Sequence, residues 1–197
     1  HNHRLANAEQ ALANFYASGV LALGAGLGPF LWQLPPSLRF DAERVEAFLS
    51  GLPRSTTELA ERARRHDDRV PAKRALTEPH AEVSVRHALE PRHTSWADPA
   101  AADLLAAYDV AMVVSDLADR YPMFEVATTD FVYVRMHGHT RLYYSGYAAA
   151  SLDAWADRCR RWAGEGRDVF VYFDNSAACK APHDALKLMA RLADSSG

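Results

Sequence analysis

Cysteine is scarce in this chain of 197 residues, which contains only Cys159 and Cys179. Cys159 falls in a helical pattern and Cys179 in a loop, and the two form no Cys-x-x-Cys spacing. Nothing in this usage indicates the disulfide framework of a small secreted protein. We therefore expect a reducing, cytoplasmic setting.

The sequence also lacks an excess of one charge and a long hydrophobic run. Its formal net charge of −3 gives no electrostatic reason to expect nucleic acid or an anionic membrane as the main partner. The most apolar stretch, residues 11–34, is broken by Asn14, Ser18 and four glycines, so it falls short of the roughly 20 apolar residues of a transmembrane span. We expect a small-molecule substrate, with neither nucleic acid nor membrane as partner, and leave the oligomeric state open.

Familiar catalytic motifs are missing too. The chain has no Gly-x-Gly-x-x-Gly, no Walker loop and no Gly-x-Ser-x-Gly elbow, which disfavours a nucleotide cofactor and α/β-hydrolase chemistry. It has no His-Glu-x-x-His either, but Glu90, His93, Asp116 and His137 are residue types that bind zinc or manganese. Binding of a divalent metal therefore remains an open alternative, although the spacing contains no metal-binding motif.

What the sequence does contain is a regular alternation of helical and strand patterns. Five short apolar segments predict buried strands: Phe30–Trp32, Val83–Leu89, Val110–Val114, Phe131–Val134 and Val169–Phe173. Helical patterns lie between them: residues 8–23, a helix capped by Asp41, one opened by Pro99, one capped by Ser151 and a closing one over 185–192. The charged stretch 55–74 predicts a solvent-exposed helix face and a loop. This order predicts an α/β fold with a parallel sheet wrapped by helices.

Polar side chains follow nearly every predicted strand. Gln33, Glu90, Asp116, Arg135 and the pair Asp174-Asn175 stand where an apolar run ends. Because the carboxyl ends of parallel strands converge on one edge, we expect these residues to gather around one ligand. Arg135 and His137, two apart, should share a face.

Four segments in order resemble the YecE-like family, domain of unknown function 72 (DUF72). They are Gly28–Pro36, Glu90–Trp96, Phe131–Gly138, and Tyr172–Asn175 followed by Ala181-Pro182. The resemblance covers almost the whole chain and implies a TIM-type (β/α) barrel with no established activity. Family members carry an additional amino-terminal part with a Gly-Thr-Ser-Gly-Trp-like opening and a Glu-Ile-Asn-like strand end. His1 would match the His of the Thr-His pair that closes the third strand of the family's barrel.

The resemblance therefore implies that residues 1–197 form a single domain, the carboxyl-terminal five or so βα units of eight. The upstream strands are expected to be missing from this chain.

Each candidate residue has a chemistry suited to such a site. Glu90 could act as general acid or base, and His93 or His137 as proton carrier. The candidates for substrate contact are Gln33, Arg92, Arg135 and Asn175. A second group is expected to hold these residues in position without touching the substrate: Asp116, Asp174 and Trp96. The alternative for Arg135 is a buried structural network with Asp116 or Glu90.

Three functions fit this pattern. The leading hypothesis is an enzyme acting on a small anionic or polyhydroxylated substrate, with Arg92 and Arg135 as anion clamps. One alternative is a metal-dependent phosphoesterase or nuclease-like hydrolase. The other is a non-catalytic ligand or nucleic-acid binding module, for which residues 62–74 are the only basic-leaning segment.

Overall fold

Helices and strands are interspersed along the computed structural model, which describes residues 5 and 8–193. The elements are α1 (Glu9–Ala17), β1 (Phe30–Gln33), α2 (Ala42–Ser50), α3 (Thr56–Ala63), β2 (His87–Glu90), α4 (Pro99–Ala107), β3 (Val110–Met112), β4 (Val114–Asp116), β5 (Phe131–Met136), α5 (Ala149–Gly164), β6 (Asp168–Phe173) and α6 (Ala181–Ala193). Short 3₁₀ segments lie at Val20–Gly26, Ala72–Arg74, Thr94–Ala97 and Ser176–Ala178. The α/β class is confirmed.

The strands form two three-stranded sheets, ordered β1-β2-β3 and β4-β5-β6. In the second sheet all neighbours are parallel, with Val114 opposite Val134 and Val134 opposite Val171. Parallel pairing, predicted from the strand and helix order, is thus confirmed for β4, β5 and β6.

The chain divides into two compact units. The first contains the described residues up to Trp32 together with Asp41–His87, and the second contains Gln33–Phe40 and the described residues from Ala88 onward. In the first unit, α1 lies against α3, and Tyr16, Leu59 and Val85 belong to its buried core. The predicted cap at Asp41 is confirmed, because its carboxylate accepts a hydrogen bond from Arg44 N at 3.0 Å.

His87 fixes the interior of the first unit. Its Nδ1 accepts a hydrogen bond from Trp32 Nε1 at 3.1 Å, so the proton sits on Nε2, which donates to the Pro53 carbonyl at 2.7 Å. Burial, the largest effect, lowers the pKa of His87 to about 4. The imidazole is therefore a neutral structural bridge at ordinary pH.

In the second unit, β5 has an apolar face packed against helices and an opposite face that carries aromatic rings and Arg135. Val132, Val134 and Met136 pack into a core with Leu152 and Trp155 of α5. The alternate residues Phe131, Tyr133 and Arg135 face the other way, because successive side chains of a strand point to opposite sides. The neighbouring strand β6 adds Phe170 and Tyr172 to that face, where the rings of Tyr133 and Tyr172 stack at 4.9 Å.

The single strand predicted over Val110–Val114 is wrong, since the chain changes sheets at Val113. Val113 N still donates to Leu89 O of β2, whereas Val114 already pairs with β5. The Thr128 hydroxyl donates to Val110 O at 2.7 Å and accepts from Met112 N at 2.9 Å. It thus takes the hydrogen-bonding positions on β3 that a further strand would use.

Three other predicted boundaries differ for local reasons. The first helix ends at Ala17 rather than near Leu23, because Gly19 has a φ of +119°. The strand expected over Val83–Leu89 starts only at His87, since Ser84 instead forms an isolated antiparallel bridge with Ser55. Ser151 is not a cap: α5 begins at Ala149. Within the described part of the chain, no helix combines the length and the apolar character needed to cross a membrane.

Candidate functional site

Glu90, the last residue of β2, is the centre of a buried polar cluster in the second unit. Its side chain is fully buried, and Oε1 accepts hydrogen bonds from Arg92 Nε at 3.1 Å, Arg92 Nη2 at 3.0 Å and Ser115 Oγ at 3.1 Å. Oε2 accepts from Arg135 Nη1 at 2.5 Å. Two guanidinium groups and a hydroxyl therefore replace the water that this carboxylate has lost.

The charge of Glu90 is fixed by these neighbours. Burial, the largest single effect, would raise its pKa, but the His137 imidazole and the guanidinium groups of Arg135 and Arg92 together bring the pKa of Glu90 down to about 2. The side chain is thus a permanent anion near neutral pH. It has no proton to give, so the geometry favours an anchoring role over that of a general acid.

Gln33 links the two arginines from the end of β1. Its Oε1 accepts from Arg92 Nη2 at 2.9 Å and from Arg135 Nη1 at 3.1 Å. Both guanidinium groups are therefore held at one acceptor, in addition to Glu90. Residues more than a hundred positions apart in the sequence meet here, as the convergence of strand ends predicts.

Asp174 extends the cluster toward solvent from the end of β6. Its Oδ2 accepts from Arg135 Nη2 at 2.7 Å, and its backbone N donates to Met136 O at 2.8 Å. The Asp174 side chain is 40% exposed, whereas those of Arg135 and Glu90 are 13% and 0% exposed. Asp174 is thus the carboxylate of the cluster that a molecule in solution can reach.

His137 lies between the two carboxylates. Its Nδ1 is 3.2 Å from Asp174 Oδ2 and its Nε2 is 3.6 Å from Glu90 Oε1, and the side chain is fully buried. Among the described residues neither ring nitrogen makes a hydrogen bond of good geometry. The backbone holds the ring in place, since His137 N donates to Asp116 O at 3.0 Å and His137 O accepts from Tyr143 N at 2.5 Å.

Two predicted site residues have local structural roles. His93 Nδ1 accepts from Ser95 N at 3.0 Å and so caps the 3₁₀ segment Thr94–Ala97. Trp96 is 1% exposed and its Nε1 donates to Leu38 O at 3.2 Å. Among the described residues no hydrogen bond or ion pair joins either of them to Glu90, whereas His137 Nε2 lies 3.6 Å from Glu90 Oε1, so His137 is the histidine of the cluster.

Asn175 belongs to a second polar network. It is fully buried, and its Nδ2 donates to Ser145 O at 3.0 Å and to Asp184 Oδ2 at 2.9 Å. Asp184 Oδ2 also accepts from Tyr147 N at 3.1 Å, which ties the segment after β5 to α6. The structure thus separates Asn175 from its neighbour Asp174.

Asp116 supports the turn that follows β4. Its Oδ1 accepts from Ala118 N at 3.3 Å, and the following residues Ala118 and Asp119 both have positive φ, +50° and +57°. Burial, and after it the charge of Asp116, raise the pKa of Tyr147 above its usual range. Asp116 therefore lies beside the cluster as a structural acceptor.

Sequence reasoning missed Ser115 and Tyr143. Ser115 stands opposite Arg135 in the parallel register and is 2% exposed, so it shares the face of the cluster. The signal was a hydroxyl inside a buried strand, one position before Asp116. Tyr143 packs edge-on against His137, with ring centres 5.3 Å apart, and has a φ of +62°. Nothing in its sequence surroundings predicts either feature.

The metal-ligand types in the sequence are not gathered as a metal site. Over residues 5 and 8–193 the structure contains no group of three His, Cys, Asp or Glu side chains that could hold a metal ion. The hydrogen bonds of Glu90 to two arginines and a serine account for its oxygens.

Comparison with known proteins agrees with this fold. The family model for DUF72, described as a protein of unknown function, matches residues 1–197. No curated protein matches the chain. A crystal structure of a DUF72 family protein from Thermotoga maritima is similar, with 20% identity and a TM-score of 0.69 over 94% of this chain and 66% of that one.

Two crystal structures of a DUF72 family protein from Enterococcus faecalis are also similar. Their identities are 16% and 17% and their TM-scores 0.68 and 0.65, over 96% and 92% of this chain and 67% and 68% of theirs. The chain thus spans about two thirds of the length of these structures, and the likeness concerns the fold alone.

Proposed function

The chain belongs to the DUF72 family of proteins of unknown function, and from that starting point we propose that it is an enzyme that performs acid–base chemistry on a small anionic or polyhydroxylated substrate. The reacting groups are His137 and Asp174, at the carboxyl ends of β5 and β6. The observation that carries the proposal is the position of His137, a fully buried imidazole 3.2 Å from the half-exposed carboxylate of Asp174.

Asp174 is the group that meets the substrate. As a general base, its exposed carboxylate takes a proton from a substrate hydroxyl or an acidic C–H bond, and as the conjugate acid it returns that proton to the product or to water. Arg135 fixes the orientation of Asp174 through the Nη2 contact at 2.7 Å. His137 faces the same oxygen of Asp174, and its N–H group stabilises the ionised form of that carboxylate.

Glu90 has a supporting role in this proposal. Its pKa of about 2 makes it a fixed negative charge. That charge holds both arginines and compensates them in the protein interior, where an unpaired guanidinium would be costly. The role of Glu90 as general acid or base is therefore replaced by that of an anchor.

Arg92 is the candidate for binding an anionic group of the substrate. Its Nε and Nη2 donate to Glu90 and Gln33, but its Nη1 makes no hydrogen bond to the described residues. The ring of Tyr121 lies 5.6 Å from its guanidinium carbon. Arg135 is less suited to this task, because its Nη1 and Nη2 already donate to Gln33, Glu90 and Asp174.

We also propose that the strands belong to a TIM-type (β/α) barrel and form its carboxyl-terminal five units, with β3 and β4 together as one of the five. Helices α5 and α6 cover the apolar face of β5 and β6, and the face with Arg135 would then be the barrel interior. Among the described residues β6 pairs with β5 alone. In crystals of this chain, strands that curve with Arg135 on the concave side support the barrel, and a flat sheet, or Arg135 on the convex side, contradicts it.

The cytoplasmic location stays part of the proposal. Its basis is the cysteine usage, since Cys159 and Cys179 are both unpaired.

A binding panel tests the substrate class. We would measure the melting temperature of the chain with gluconate, glucuronate, glycerol 3-phosphate and inorganic phosphate, in wild type and in Arg92→Lys. We expect at least one compound to raise the melting temperature of the wild type, and Arg92→Lys to lose that rise because lysine cannot keep three separate donors in place. The control is Arg39→Lys, an exposed site.

Three outcomes of the panel have distinct meanings. A rise that Arg92→Lys and Arg39→Lys leave equally intact contradicts the role of Arg92. A rise in melting temperature for compounds that NMR spectra show to stay chemically unchanged supports the alternative of a non-catalytic binding module. No rise with any compound contradicts the proposed substrate class.

A further inference from the structure

The second unit also contains a cavity of about 890 Å³. It lies at the carboxyl ends of β4 and β5, between the segment after β4 and the first turns of α5. Its wall includes Arg120, Tyr121, Met123, His139, Ala154 and Trp155. Pockets of roughly 300–1,000 Å³ are typical of small-molecule sites, so the cavity is large enough for a whole ligand. The acid–base function proposed above makes no use of it.

The charges of the wall are of both signs. Arg120 and Asp119 line the cavity, both are exposed, and neither forms an ion pair with another described residue. The other two charges are already engaged: Arg158 pairs with Glu125 at 3.1 Å, and Asp116 accepts from Ala118 N. At the cavity, one cation and one anion therefore stand next to each other without an ion-pair partner among the described residues, and the Arg120 guanidinium lies 5.9 Å from the Tyr121 ring centre.

Most of the other wall residues are apolar or aromatic, and the polar ones are Thr94, His139 and Ser151. Tyr121 contributes a ring and Met123 is 44% exposed although it is a large hydrophobic residue, whereas Trp155 is 3% exposed with the Arg158 guanidinium 4.8 Å from its ring. An exposed methionine beside the Tyr121 ring suits the flat face of a ligand ring. The segment that carries Tyr121 and Met123 is also strained, with left-handed backbone at Ala118 and Asp119. Such conformations persist where the surroundings impose them and cluster at ligand sites.

We propose that this cavity binds a zwitterion with an aromatic side chain, the chemistry of a free aromatic amino acid. The ligand carboxylate pairs with Arg120, its ammonium group with Asp119, and its ring lies against Met123 and Tyr121. Tyr121 is also 5.6 Å from the Arg92 guanidinium carbon, so the cavity adjoins the Glu90 cluster. The proposal is independent of the proposed acid–base function.

The test compares three probes that differ by one charge each: phenylalanine, 3-phenylpropionate and phenethylamine. We expect phenylalanine to bind about tenfold more tightly than either analogue, since each analogue leaves one charged wall residue without its partner. Calorimetry gives the affinities, and amide shifts in NMR spectra should centre on residues 117–123 and 148–155. Equal affinity for phenylalanine and one of its analogues would overturn the zwitterion assignment.

Variants locate the binding. Arg120→Gln should bring phenylalanine down to the affinity of phenethylamine, and Asp119→Asn to that of 3-phenylpropionate. Asparagine tolerates the positive φ of position 119, so the turn is retained. Arg39→Gln and Asp103→Asn, both at exposed sites outside the cavity, are the matched controls and should keep wild-type affinity.

A filling substitution tests the cavity itself. Ala154→Phe places a ring in the cavity from an exposed position of α5 and should abolish phenylalanine binding. Ala163→Phe is the control, on the same helix and exposed but outside the cavity. Phenylalanine binding that survives Ala154→Phe, with the melting temperature unchanged, would overturn the proposal.

Discussion

His137 Nδ1 lies 3.2 Å from Asp174 Oδ2 where β5 and β6 end. The imidazole is fully buried, whereas the Asp174 side chain is 40% exposed, so a titratable group in the interior contacts one that reaches the surface. Arg135 holds the second residue of this pair and Glu90 stands on the other side of the imidazole.

Acid should weaken the fold through Glu90. Its pKa falls from an ordinary 4.5 to about 2 on folding, so its contribution is complete above pH 4.5 and is lost as the pH falls toward 2. The full loss is about 3 kcal/mol, since each tenfold change in proton affinity is worth about 1.4 kcal/mol. Urea unfolding at pH 5, 4 and 3 measures it. A free energy of unfolding that stays constant between pH 4.5 and 3 would contradict the depressed pKa.

Protonation of His87 should destabilise the fold at a higher pH than protonation of Glu90. Its pKa falls from 6.5 to about 4 on folding, so the folded state is favoured above pH 6.5 and loses stability as the pH falls to 4. The expected loss is up to about 3 kcal/mol. Urea unfolding between pH 7 and 4.5 should show this slope in the wild type and in the exposed control His80→Gln, but not in His87→Gln. Equal slopes in all three proteins would show that the pH dependence of stability comes from a group other than His87.

Arg135→Lys should destabilise the chain. Arg135 donates to Gln33, Glu90 and Asp174 together, and a single ammonium group cannot serve three acceptors in the same geometry. We expect a loss of roughly 2 to 4 kcal/mol, because Glu90 stays buried with only part of its compensation. The exposed Arg44→Lys is the matched control. Indistinguishable urea midpoints for the two variants would show that Arg135 is not part of a stabilising network.

Gly138→Ala should disturb the segment that follows His137. Gly138 has a φ of +116°, and a Cβ there would lie 2.6 Å from Arg141 O. We expect a loss of roughly 1 to 3 kcal/mol from this strain. Gly164→Ala is the contrasting control, because nothing lies within 4 Å of its Cβ position and alanine favours the helix. A lower melting temperature for Gly138→Ala only is the expected result.

Local signals account for what could be predicted of the fold. The cap at Asp41 and the helix opened by Pro99 depend on neighbouring residues alone, and both are found. The division of Val110–Val114 between two sheets depends on distant partners, since Val113 N donates to Leu89 O whereas Val114 pairs with Val134, and no local pattern contains them.

For the site, too, the sequence predicts only part of the arrangement. The convergence of strand ends predicted that Gln33, Glu90, Asp116, Arg135 and the pair Asp174-Asn175 gather. Hydrogen bonds join Gln33, Glu90 and Asp174 through Arg135, whereas the Asp116 carboxylate accepts from Ala118 N. The convergence could not decide between Asp174 and Asn175. Adjacent side chains point in different directions, so the first reaches Arg135 and the second reaches Asp184.

The most direct test of the central proposal is turnover by Asp174 and His137. We would incubate the chain with gluconate, glucuronate and glycerol 3-phosphate in D₂O and follow both product formation and C–H to C–D exchange by NMR. The wild type and the control Asp103→Asn, at an exposed site of α4, should transform at least one compound. Asp174→Asn and His137→Gln should slow that reaction by roughly 100-fold or more. No transformation by the wild type, or equal rates in Asp174→Asn and Asp103→Asn, would contradict the proposed chemistry.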